Sequence, residues 1–250
     1  TLHAASNPWM GWLTRQTMRR ATALHTDCAA DQARALTWGF QAGKPTLILP
    51  GNGGIDLALF HPAEGAGSGW QVINPRGVRA YVRNDTFFQA IPLVLKELPE
   101  ARFVCLGMQG EALAERWLAE LGTAAQVALL PKLPREQVAA VFQASAVAVS
   151  PTTHDGTPNT LLEAMACGCF PIVGDIPSLR EWIEPGVNGF LVDPGDPAAL
   201  AGAVVLALRD ADLRRRAQAH NARLIAERAE YNACMGRVEA FYRSVSREPV

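Results

Sequence analysis

From Trp70 onward, apolar runs of four or five residues alternate with longer segments whose apolar residues return every three to four positions. The runs at 71–74, 102–106, 126–130, 146–149, 170–173 and 189–192 predict short strands, most of them apolar enough to be buried on both faces. Between them, 86–97, 111–121, 135–144 and a short stretch near 179–183 carry the helical period, with Gly122 placed to stop the second. This alternation predicts a parallel sheet with helices on both faces, whose ligands bind beyond the carboxyl ends of the strands. Three more helices, 197–209, 211–229 and 231–245, follow by pattern. Upstream, a basic helix over 12–23, a second from Asp27 through Phe40 and a short strand at 45–50 read as part of another domain. The fold class is α/β, a Rossmann-like parallel sheet plus a partial first domain.

The chemistry gathers in one strand-to-helix turn, Ser150 to Pro171, which reads SPTTHDGTPNTLLEAMACGCFP. An apolar strand enters it, and the helix formers Leu161 to Ala166 leave it and end at Gly168. Thr157 is placed to cap that helix and Pro158 suits its first position, so the amides of Asn159, Thr160 and Leu161 point out of its end. Such an end attracts phosphate. Asp155 and Glu163 bracket it with seven residues between them. A diphosphate seated there has a carboxylate on either side for the hydroxyls of two flanking sugars. An ordinary capped helix with solvated Asp155 and Glu163 accounts for the stretch equally well at this point.

The segment HDGTPNTLLEAMACGCFPIVGDIPSLREWIEPGVNGFLVDPGDPAAL, starting at His154, resembles the donor-site signature of the family 4 retaining glycosyltransferases. Glu163 to Ala166, Gly168, Glu181 and Asn188 to Val192 match, while the first Glu of the family's Glu-x7-Glu is Asp155 here. Weaker similarity runs from about Asn52 to Leu208. The resemblance implies the two-domain GT-B fold. Residues 1–62 are then a remnant of the N-terminal acceptor-binding domain with its linker, Asn52-Gly53-Gly54-Ile55-Asp56. Residues 63–230 are the nucleotide-sugar-binding domain, and 231–250 a helix crossing back toward the first domain. An acceptor domain needs roughly 150 residues, of which about a third is present.

The same resemblance implies a nucleotide-sugar donor, UDP- or GDP-linked, used without a metal or other cofactor. The sugar passes with retention to a glycan, lipid or small-molecule acceptor. Arg76, Asp155 and Glu163 are the catalytic candidates: Arg76 neutralises the diphosphate, Glu163 accepts from the ribose hydroxyls and Asp155 from those of the transferred sugar. Arg76, Arg83, Gly107, Gly156, Thr157, Pro158, Asn159, Thr160 and Glu163 are the donor-binding candidates. The family's Lys, six residues past its Arg, falls on Val82, with Arg83 beside it and Arg79 read as a solvated charge. Gly107 begins the turn that stands in place of the family's glycine-rich loop. The leaving diphosphate can take the acceptor's proton, so no general acid or base is required from this half.

Composition narrows the alternatives. A formal net charge of −1 gives no reason to expect a nucleic-acid partner, and 49% hydrophobic with 19% charged residues describes a globular chain. No apolar run approaches the roughly 18 residues of a spanning helix. Trp9, Trp12, Arg15, Arg19 and Arg20 fit a membrane-surface face or a helix packed on further sheet; nothing else supports peripheral membrane contact. Cys28, Cys105, Cys167, Cys169 and Cys234 lack metal-ligand spacing and read as buried thiols in a reduced, cytoplasmic setting. His3, His25, His61 and His220 are isolated, and His154 alone adjoins the site loop. The chain begins at Thr1, not Met, and is read as part of a longer one. No Gly-x-Gly-x-x-Gly turn marks a dinucleotide oxidoreductase. A donor-binding module without catalysis and a nucleotide-sugar epimerase of the same fold remain as alternatives.

Overall fold

The computed structural model of the chain describes residues 7–50, 53–63 and 69–246; His3 and Asn52, named above, lie outside them. The first piece holds α1 (Pro8–Arg20), β1 (Leu24–Thr26), α2 (Ala29–Thr37) and β2 (Thr46–Ile48). Helix α1 begins at Pro8 and not at 12, because the Asn7 side chain accepts from the amides of Trp9 and Met10 and Pro8 fills the first turn. It ends at Arg20, short of 23, and α2 is shorter at both ends than the expected 27–40. Strand β1 is an addition to the expected elements, since three residues, two of them half-buried, carry no readable period. It pairs in parallel with β2.

The second piece is built on β3 (Gln71–Asn74), α3 (Asn84–Glu97), β4 (Arg102–Cys105), α4 (Ala112–Leu121), β5 (Val127–Leu129) and α5 (Arg135–Gln143). It continues through β6 (Val147–Ser150), α6 (Asn159–Ala166), β7 (Phe170–Gly174), a 3-10 turn (Leu179–Glu181), β8 (Phe190–Val192), α7 (Pro197–Arg209) and α8 (Ala211–Arg228). The six strands form one parallel sheet in the order β5-β4-β3-β6-β7-β8. The expected sheet with helices on both faces is therefore present. Alternate side chains enter opposite cores. Val72, Phe103, Val147 and Ile172 meet α3, α4 and α7 on one face, and Ile73, Val104, Ala148 and Val173 meet α5, α6 and α8 on the other. The chain leaves β3 toward β4 and β5, then returns to lay β6 on the other side of β3. That reversal opens a crevice at the carboxyl ends of β3 and β6.

The linker joins the end of α8: Ile55 N donates to Ala229 O at 2.6 Å and Tyr231 N to Ile55 O at 3.0 Å. Helix α9 (Tyr231–Val245) follows and brings the Tyr242 ring edge-on to His25, 6.1 Å between centroids. All five cysteines are free and buried.

Candidate active site

Two turns meet at the crevice. In the turn after β3, buried Asn74 accepts from the amide of Arg76 at 3.1 Å and donates to Asn84 Oδ1 at 2.8 Å, while Asn84 Nδ2 donates to Gly77 O at 2.7 Å. Two buried amides with their groups paired fix this loop. The Arg76 side chain then leans across to the turn after β6. Its Nη2 lies 2.7 Å from Asp155 Oδ2 and its Nη1 donates to Thr160 Oγ1 at 3.2 Å, with side-chain exposures of 9% for Arg76 and 18% for Asp155. Asp155 also accepts through Oδ1 from the Gly156 amide, and its carbonyl from Ser178 Oγ at 2.7 Å.

The start of α6 differs from the expected cap. Pro158 sits one place earlier, at the N-cap with extended backbone, and Thr157 makes no capping bond. The Thr157 hydroxyl donates instead to Asp27 O at 2.5 Å and accepts from Trp182 Nε1 at 3.2 Å. The Leu161 amide is taken by Pro158 O at 3.0 Å, so the open amides are those of Asn159 and Thr160. They remain a helix end with unpaired donors.

Around this end lies a cleft of about 390 Å³, lined by Arg76, Gly107, Lys132, Arg135, Thr160 and Glu163 among others. Thr160 and Glu163 share one face of α6 at i, i+3 spacing. Glu163 is half-buried and makes no hydrogen bond among the described residues. Burial raises its carboxyl pKa above the usual value, and the charge of Arg135 opposes that rise. Gly107 adopts φ +66°, which its turn requires, and its amide bonds Pro131 O at 3.3 Å, drawing the Lys132 loop to the cleft.

Arg83 is not brought to the cleft. Its fork closes on Asp85, with Nε to Oδ1 at 2.9 Å and Nη2 to Oδ2 at 2.8 Å, beside Gly195. Val82, at the family's Lys position, is buried and bridged to Thr152. The further cations of the cleft are Arg79, at its rim, with Lys132 and Arg135. Lys132 and Arg135 were not among the expected site residues. Their signal was position: both flank the turn that follows β5, at the carboxyl end of a strand.

A sequence profile for "Glycosyl transferases group 1" matches residues 71–224, more than half of the chain. The chain belongs to the group 1 glycosyltransferases. The D-inositol 3-phosphate glycosyltransferase of Thermobispora bispora is 29% identical over 200 residues, 72% of this chain and 46% of that protein. Sucrose-phosphate synthase from Thermosynechococcus elongatus superposes with a TM-score of 0.82 at 20% identity, covering 98% of this chain and 63% of that one. Anabaena Alr3699/HepE, in complex with UDP and glucose, gives 0.82 at 17% identity, covering 95% and 68%. These likenesses place the glycosyltransferase chain in the GT-B fold. The chain spans about half the length of the curated relatives it matches. Among the described residues, no helix is long and apolar enough to cross a membrane.

Proposed function

We propose that this group 1 glycosyltransferase chain is the donor-binding half of a retaining enzyme of the family 4 type, and that its donor is a UDP-sugar. The observation that carries the reading is Glu163. It is a half-buried carboxylate without a hydrogen-bond partner among the described residues, in the same cleft as Arg76 and close to the α6 end. Burial disfavours its charged form and raises its pKa, and hydrogen bonds from ligand hydroxyls offset that cost. Glu163 receives the ribose hydroxyls. Arg76, the Asn159 and Thr160 amides and Lys132 receive the diphosphate. As the glycosyl bond breaks, negative charge grows on the departing phosphate, and these fixed donors stabilise it. The positive charge comes from the chain, so no metal is called for. The departing phosphate takes the proton of the acceptor hydroxyl on the same face, which retains configuration. The choice of UDP over GDP rests on neighbours such as HepE, which is described with UDP.

The span of about half the relatives' length supports a second reading, a module that binds donor without turnover. Titration with UDP and with uridine, followed by a turnover assay, separates the cases. Two or more charge-assisted bonds to the diphosphate, each about 1.5–3 kcal/mol, make UDP about 100-fold tighter than uridine or better. Arg76→Ala erases most of that difference. Equal affinities for UDP and uridine contradict the reading.

A further inference from the structure

Gly156 stands in the middle of the signature turn, and its own backbone does not require glycine, since its φ lies outside the left-handed region. A neighbour requires it. A Cβ at Gly156 would overlap the carboxylate of Asp27, which reaches over from the end of β1 in the first piece of the chain. Asp27 Oδ2 accepts from the Thr157 amide at 3.3 Å, and Asp27 O accepts the Thr157 hydroxyl. The contact is reciprocated by Glu181 of the donor half. Its Oε2 accepts from the Ala29 amide at 3.0 Å and its Oε1 from the Ala30 amide at 3.1 Å, capping α2, whose own N-cap Cys28 makes no side-chain bond. Arg228 backs this side, stacked 4.2 Å over the Trp182 ring and donating to Glu181 O at 2.9 Å. Burial raises the Asp27 pKa, with the Thr157 amide opposing, as befits a carboxylate enclosed at a junction.

The consequence reaches the cleft. Thr157 stands one place before the N-cap Pro158, with its hydroxyl proton given to Asp27 O and its oxygen accepting from Trp182 Nε1, so its side chain is held away from the α6 amides. Those of Asn159 and Thr160 stay open. We propose that residues 27–30 form a clasp between the two parts of the chain, in which Asp27 is a positioning residue that holds Gly156 and Thr157, and through them Asp155 and the α6 end, in the geometry that receives the diphosphate. The effect on binding rests on the donor reading above; the clasp itself is defined by contacts that involve no ligand.

A mutant cycle with two readouts tests this. UDP affinity is measured by calorimetry, and amide exchange at Ala29, Ala30 and Thr157 by NMR, for the wild type, Gly156→Ala, Asp27→Ala and the double variant, each confirmed folded by thermal unfolding. Gly156→Ala is expected to weaken UDP about tenfold and to speed exchange at all three amides, but to cost less than about twofold further once Asp27→Ala has made room. Asp27→Asn, which keeps an acceptor for the Thr157 amide, restores affinity to within about twofold of wild type. An equal cost of Gly156→Ala in both backgrounds overturns the proposal. So does an Asp27→Ala variant with UDP affinity and Thr157 exchange unchanged. A wild-type chain with protected amides and no UDP binding overturns the donor reading instead, and leaves the clasp as a contact between the two parts.

Discussion

Residues 71–228 carry a six-stranded sheet covered on both faces, whereas residues 7–50 carry two three-residue strands and two helices, α1 with no buried residue and α2 with one, Ala35. The first has two extended cores; the second has one small cluster of Leu24, Ala35 and Phe40 with Met18 and Ala21 against it. A parallel sheet needs both faces covered, and two strands are too few for independent stability. Beside that cluster a groove of about 400 Å³ runs between α1, β1 and α2, lined by Met18, Leu24, His25 and Ala35 among others, and His25 Nε2 is buried without a hydrogen-bond partner. The first piece is tied to the rest of the chain through Asp27 and Glu181, and to α9 at His25. The two extended cores and the Glu163 cleft belong to one part of the molecule. The other part supplies contacts.

The largest effect is expected in the cores. Phe88, fully buried and packed against Phe87 and Trp117, should cost about 3–5 kcal/mol on Phe88→Ala in urea unfolding. Leu24→Ala should cost the transition of the six-stranded part about 1 kcal/mol or less and show mainly as faster exchange in β1 and β2. Equal effects would erase the distinction. Next comes Arg76→Ala, which leaves Asp155 without its cation. We expect about 2–3 kcal/mol, below the range for fully buried pairs because Asp155 keeps 18% exposure. Urea titration reads it, and an unchanged midpoint would show the pair to be only a surface contact.

Glu163 sharpens the contrast between function and stability. Its folded pKa is raised from the ordinary 4.5, so the folded chain holds that proton more tightly than the unfolded one. This contribution is present below the unfolded pKa and is lost as pH rises through the folded value. Glu163→Gln should therefore raise the Tm near neutral pH, and the gain should vanish in acid. A Tm lowered at neutral pH would mean that Glu163 holds the fold. The smallest effect belongs to the first piece. Trp9 and Trp12 stack at 5.3 Å and are 64% and 51% exposed. Replacing both by Ala should move the unfolding free energy by no more than about 0.5 kcal/mol.

The six-stranded part was legible because its strands are compact apolar runs and its helices carry a clear period between glycine and proline stops. The Asp155 and Glu163 spacing around a helix start was legible for the same reason: the signal is local. What escaped depends on distance along the chain. Thr157 reads as a cap until Asp27, 130 positions away, accepts its hydroxyl proton and Trp182 Nε1 bonds its oxygen. Glu181 reads as a motif residue until it caps α2, across 152 positions. Arg83 is a different case, because Asp85 stands two residues on and local pairing alone removes it from the cleft. Lys132 and Arg135 were hidden because the turn that carries them meets Arg76 only after the sheet has formed.

The proposed role of the Glu163 cleft is to bind a nucleoside diphosphate. Calorimetry of UDP against the wild type and Glu163→Gln tests it most directly, because the substitution keeps the shape and removes only the charge that accepts the ribose hydroxyls. Glu163→Gln should lose about 1.5–3 kcal/mol in binding with the fold intact. An unchanged dissociation constant would contradict it.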